Sequence, residues 1–347
     1  MSPINPINSR NPINFLLLAF CFLLYATSVG HATQDGRETI ALFPFENFSD
    51  DIHATEKIMP VVQEKLESEG YSVLDWATLE RFLVRERIRS TGYISREMAG
   101  NIGKELHAEA VLVGSINTLD SGKNPKAGFT ARLVNTSDGS ITWSGHVAAT
   151  GEDFTGILGI GTVKSIDELT VRMIDELFES FSILMPRKER EAAYRIAVMP
   201  FKNESKIRGA GMIATYMFIS ELFGSRIFEP LSYGDVRDLV VALRVRSKGE
   251  LDFRNIGSIA ESSGVDGILV GTVEHYEEEQ ASVPPLALIS ARLIDARTGK
   301  ILWYDGYQYR GDDGITIFDW GRLRSAENVA DVVVSKLVKE MSKVKWQ

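Results

Sequence analysis

ARLVNTSDGSITW, from Ala131 to Trp143, returns later in the chain as ARLIDARTGKILW, from Ala291 to Trp303. Each version reads as two β-strands, over 129–135 and 140–148 in the first. They are joined by a turn of the Thr136-Ser137-Asp138-Gly139 type, which becomes Ala296-Arg297-Thr298-Gly299 in the second. Short polar residues followed by glycine supply the backbone angles that a tight hairpin needs. A hairpin written twice raises the question of how much else is duplicated.

Working outward, the repetition extends along most of the chain. IALFPFENFS (Ile40 to Ser49) recurs as IAVMPFKNES (Ile196 to Ser205), with six identities in ten. RIRSTG (Arg87 to Gly92) recurs as RVRSKG (Arg244 to Gly249), and AVLVGSI (Ala110 to Ile116) as GILVGTV (Gly267 to Val273). The four matches are collinear, with offsets of 156, 157, 157 and 160 residues, so one domain has been duplicated. Two copies of this size make tandem domains rather than a solenoid.

The pattern within a copy predicts α/β architecture. Short apolar runs at 40–45, 71–74 and 110–116 read as strands, with helix-period segments between them, so these three strands should be largely parallel. The hairpin then makes the sheet mixed, of α+β type, and a helix closes each copy. The expected fold is two tandem copies of a βαβα(α)βββα domain. The boundaries are a signal peptide at 1–32, a first domain at 33–185, a charged linker at 186–194 and a second domain at 195–347.

The opening Ile-Ala-Val/Leu-x-Pro-Phe-x-Asn-x-Ser, the Leu-Val-Gly strand and the Ala-Arg-Leu hairpin together resemble the CsgG-like and TolB amino-terminal-like domains. That group includes curli-secretion proteins and activators of penicillin-binding proteins. The resemblance covers nearly the whole mature chain, once per copy. It implies a non-enzymatic exported protein acting as an interaction module in envelope assembly or secretion. CsgG-like pores carry long membrane-spanning hairpins, whereas the connections at 117–127 and 274–286 lack alternating apolar arms of about 10 residues.

A net charge of -9 argues against a nucleic-acid partner, because neutralising phosphates takes concentrated Lys and Arg. The apolar run from Phe15 to Ala26, followed by Gly30-His31-Ala32, reads as a secretory signal cleaved after Ala32. The only cysteine, Cys21, lies inside that run; Phe20 stands where a lipid-attachment box wants a small residue, so a lipoprotein is not expected. The compartment expected is the periplasm or the outer-membrane periphery. The partners expected are envelope proteins, with peripheral membrane association and homo-oligomerisation left open.

Catalytic, cofactor and metal sites are not expected. The histidines His53, His107, His146 and His275 show no ligand spacing, and no nucleophile motif occurs. The 156–161 segment (GILGIG) lacks the Lys-Ser/Thr of a phosphate loop and reads as a connector. Asn47 and Asn203 read as Asx-type caps with Ser49 and Ser205, or alternatively as a loop site. Trp143 and Trp303 read as packing residues, and Glu277-Glu278-Glu279 as a solvated turn. The polar feature that repeats is Arg87 and Arg89, mirrored by Arg244 and Arg246. It reads either as an anion or partner patch or as cations in the last turn of a helix, where the macrodipole favours them. The alternative function is a two-lobed solute-binding protein closing across the linker.

Overall fold

A computed structural model describes residues 37–155, 161–179, 181, 194–242, 253–280, 283–316 and 321–346. The proposed signal segment with Ala32 and Cys21, most of the charged linker, and Arg244 and Arg246 lie outside these residues. No described helix is long and apolar enough to cross a membrane.

The first copy runs β1 (Thr39–Leu42), β2 (Glu46–Asn47), α1 (Ala54–Ser68), β3 (Ser72–Val73), α2 (Trp76–Arg85), α3 (Arg96–Leu106), β4 (Ala110–Asp120), β5 (Lys126–Asn135), β6 (Ile141–Thr150) and α4 (Ile166–Leu177). The second repeats the order as β7 (Tyr194–Val198), β8 (Lys202–Asn203), α5 (Ala210–Ser225), β9 (Phe228–Pro230), α6 (Tyr233–Ala242), α7 (Phe253–Ser263), β10 (Gly267–Glu277), β11 (Leu286–Asp295), β12 (Ile301–Arg310) and α8 (Ala326–Met341). The sheets have equivalent strand orders, β3-β1-β4-β5-β6 and β9-β7-β10-β11-β12. β3, β1 and β4 are parallel, and the β4-β5 and β5-β6 pairs antiparallel, as the sequence predicts.

In the first copy, α1 and α4 cover one sheet face. Ile58, Val62 and Leu66 of α1 and Leu169, Met173 and Leu177 of α4 pack on Leu112, Phe129, Ala131 and Leu133. The other face is divided. α2 and α3 cover Ala41, Val111, Val113 and Val134 with Leu79, Phe82, Leu83 and Ile102, and leave the rest of β5 and β6 to be covered from elsewhere.

Three features depart from expectation. β4 and β5 run on to Asp120 and back from Lys126, because a bulge at Asn117 lets the strands keep pairing beyond the apolar run. α2 ends at Arg85, so Arg87 and Arg89 are not in its last turn. Arg87 instead occupies the left-handed region (φ 55°) just past the cap, with Arg87 N–H donating to Val84 and Ile88 N–H to Leu83. Finally, α5 is buried all round, with Ile213, Tyr216, Met217, Phe218, Ile219 and Leu222 all at most 1% exposed. Its counterpart α1 is amphipathic. A helix apolar on every side needs two surfaces to cover it.

Candidate functional site

The two copies are joined by α5 and α8, which pack on their own sheet and also on β5 and β6 of the first. The core of the second copy thereby runs on into Ile141, Phe48 and Tyr93 of the first. Glycine makes the close approach work. A Cβ at Gly128 on β5 would run into the Glu327 carboxylate, and one at Gly234 on α6 into the backbone of Ile94 and Ser95.

A buried polar network crosses this seam. Glu327, in the first turn of α8, is fully buried. Its carboxylate accepts from Asn117 Nδ2 at 2.7 Å and Thr118 Oγ1 at 2.8 Å, and lies 3.0 Å from His146 Nε2. The bulge in β4 turns Asn117 toward it, and Asn117 also donates to Thr130 Oγ1. His146 Nδ1 lies 3.2 Å from Asp331, one turn along α8. Burial pushes the His146 imidazole down, but the hydrogen bonds to Asp331 and Glu327 outweigh it and raise it to about 10. His146 is therefore a cation at neutral pH, held between the carboxylates of Glu327 and Asp331.

A second cluster surrounds Arg132 of β5, which is 2% exposed. Its guanidinium lies 3.9 Å from the centre of the Tyr216 ring on α5 and donates to the Gly92 carbonyl at 2.6 Å. Tyr216 Oη donates to Glu46 at 3.0 Å. Burial raises the Glu46 carboxyl, while Tyr216 and Arg132 pull it back. At the rim, Lys126 pairs with Glu278 at 2.5 Å and Arg324 with Glu152 at 2.9 Å. The acidic triplet is therefore more than a solvated turn: Glu278 pairs with the first copy and Glu279 with Arg322.

Among the described residues, the equivalent face of the second sheet carries no such helix pair. By strand register, Ser115, Asn117, Thr130, Arg132 and Ser144 correspond to Thr272, Glu274, Ser290, Arg292 and Tyr304. Ile141 corresponds to Ile301. Ile141 is 2% exposed beneath the second copy, whereas Ile301 is 59% and Tyr304 68% exposed. Thr272, Ser290, Arg292 and Tyr304 line a shallow depression of about 160 Å³. Glu274 accepts from Ser290 at 2.5 Å through one oxygen; the other is buried without a hydrogen-bond partner.

Among the residues singled out by sequence, Asn47 and Asn203 form matching Asx turns. Each accepts from the backbone and hydroxyl of the serine two residues on and donates to a carbonyl four residues on. Trp143 stacks on Phe178 at 5.4 Å, and Trp303 packs against the second core. His53 and His275 are exposed beside Glu56 and Glu277, and His107 caps α3 in a left-handed conformation. Arg87 and Arg89 are exposed on one loop. The connector at 156–161 is described only at Gly161. Among the described residues, no three His, Cys, Asp or Glu side chains are grouped to hold a metal ion. The seam network escapes sequence reading because the partners of Glu327 lie 181 to 210 residues before it. The repeated arginine of Ala-Arg-Leu, set among apolar neighbours, was the available signal.

No family model matches the chain, and no curated protein matches it significantly. Several solved structures resemble parts of it. One is the PelC dodecamer from Paraburkholderia phytofirmans, at 18% identity and TM-score 0.30, over 42% of this chain and 86% of that one. Another is lipoprotein GNA1162 from Neisseria meningitidis, at 19% identity and TM-score 0.31, over 43% and 98%. A third is the LpoB C-terminal domain from Salmonella enterica, at 16% identity and TM-score 0.28, over 35% and 86%. The resemblance is distant, and each match spans less than half of the chain.

Proposed function

We propose that this chain is a non-enzymatic interaction module of the cell envelope, exported after cleavage at Ala32 and acting in assembly or secretion. It holds a protein partner on the open face of its second sheet. The observation that carries this reading is the contrast between Ile141 and Ile301. The same position on the same sheet face is 2% exposed in one copy and 59% in the other. In the first copy that face binds an apolar helix, so the surface has the shape and chemistry to take one. In the second, Ile301 and Tyr304 stand in water beside the polar depression of Thr272, Ser290 and Arg292.

The outer face of α1, with Glu56, Lys57, Gln63, Glu64 and Glu67, is charged. It does not offer a second molecule the apolar surface that α5 presents to the first copy. The solute-binder alternative finds no support in the seam, since opening two lobes there would strand Arg132, His146 and Glu327 without partners at large cost.

The test uses the mature protein, residues 33–347, and a variant carrying Ile301→Asp and Tyr304→Asp. Each is used for crosslinking and affinity capture from envelope extract, with the intact mass recorded. An envelope protein held by the parent and released by the variant supports the reading. Equal capture by both, or a co-purifying small molecule alone, overturns it.

A further inference from the structure

A second feature lies between the copies, distinct from the open sheet face. The loop 86–95 of the first copy and helix α6 of the second enclose a cleft of about 300 Å³. Phe43, just past the carboxyl end of β1, lines it together with Ile94 and Met98. In open α/β sheets, ligands bind outside the carboxyl ends of parallel strands, and the volume is at the lower end for a small-molecule pocket.

Three arginines line the cleft: Arg87, Arg89 and Arg237. Two carboxylates accompany them. Glu86 is already engaged by Arg85 at 2.9 Å. Asp238 lies 3.8 Å from Arg237, beyond hydrogen-bond distance. Among the described residues, Arg87 and Arg89 have no carboxylate partner. Arg87, Arg89 and Arg237 against Glu86 and Asp238 leave the lining with one net positive charge.

The walls are fixed. The Gly92 carbonyl is held by Arg132, and the Tyr93 ring meets Tyr233 edge-on at 5.3 Å. Arg237 lies 5.3 Å from the centre of the Tyr93 ring. Ser232 Oγ donates to the Ile94 carbonyl, and the absent Cβ of Gly234 lets α6 meet the Ile94–Ser95 backbone. The first N–H of α3 already donates to Asp235 at 2.7 Å. Arg87 is held in the left-handed region, a backbone conformation that favours glycine.

We propose that this cleft binds a phosphomonoester. Arg87, Arg89 and Arg237 donate to the oxygens of the dianion, while an apolar substituent lies on the partly exposed Ile88, Tyr93 and Met98. The phosphate belongs either to a soluble metabolite or to a lipid headgroup, and the test distinguishes the two.

The experiment uses the mature protein with three probes: phenyl phosphate, inorganic phosphate, and phosphatidylcholine vesicles containing phosphatidic acid. The variants are Arg87→Gly and Arg89→Ala, with Arg81→Ala on α2 as control. Arg87→Gly suits the left-handed backbone, so it removes the guanidinium without harming the fold. Phenyl phosphate should raise the melting temperature more than inorganic phosphate, and each variant should weaken binding by about tenfold, with the control unchanged. Vesicle flotation that depends on Arg87 and Arg89, without a response to phenyl phosphate, assigns the phosphate to a lipid. Equal response in parent and variants, or none to any probe, overturns the proposal. Partner capture through Ile301 and Tyr304 is read separately and is unaffected by these arginine variants.

Discussion

The carboxylate of Glu327, on the last helix of the chain, lies 3.0 Å from Nε2 of His146 on the edge strand of the first copy. Both side chains are buried, at 1% and 8% exposure. The pair makes the attachment of one copy to the other dependent on charge.

Stability should fall on the alkaline side. His146 rises from its ordinary 6.5 to about 10 in the folded protein. Its contribution is complete below pH 6.5 and is lost as pH climbs through 10. Denaturant midpoints measured between pH 6 and pH 10 should decline in the parent and decline less in His146→Gln. Equal slopes would dissociate His146 from the effect. At neutral pH, His146→Ala leaves Glu327 buried without its cation and should cost about 3–5 kcal/mol.

Tyr216→Phe keeps the ring under Arg132 and removes only the hydrogen bond to Glu46. The expected loss is about 1–3 kcal/mol, because a buried carboxylate is left short of a donor. Without that donor Glu46 should also titrate higher, visible in the carboxyl signals of a labelled sample.

Gly234→Ala should be damaging out of proportion to one methyl group. The new Cβ meets backbone at Ile94 and Ser95, which cannot rotate away. A loss of about 1–3 kcal/mol is expected by thermal melting. Gly224→Ala, where a Cβ meets nothing within 4 Å, serves as the comparison and should be neutral or stabilising.

The copies should not survive separation. Residues 194–347 alone would expose the side of α5 that carries Tyr216, and should aggregate or remain partly folded. Residues 38–181 would expose Ile141 and leave Arg132 and His146 without partners. Co-expressed, the two pieces should associate, and the whole chain should melt in one transition by calorimetry. Two independent transitions would count against the seam described above.

The duplication, the mixed sheet and both hairpin turns are legible because turn chemistry and strand alternation are local. The Asx turns at Asn47 and Asn203 are legible for the same reason. The bulge at Asn117 is not: it extends β4 beyond its apolar run into residues that resemble a loop. α5 carries its signal in plain view, since AGMIATYMFISELFGS lacks the polar face of α1, yet only the other copy explains where the surplus apolar surface goes. His146 reads as one more strand residue, because nothing near it in sequence announces the acids of α8. The arginine pair at 87 and 89 was visible as a repeat, while its place in a cleft depends on α6 of the other copy.

The position of Glu327 also sets an order of events. Asn117, Thr118, Thr130 and His146 are synthesised long before α8, and a chain growing from its amino end must hold them open until the final helix arrives. The first copy cannot finish folding while it is the only copy made. Contacts of such long sequence separation favour slow folding with a populated intermediate. During that interval the faces of β5 and β6 that α5 and α8 later cover stay exposed.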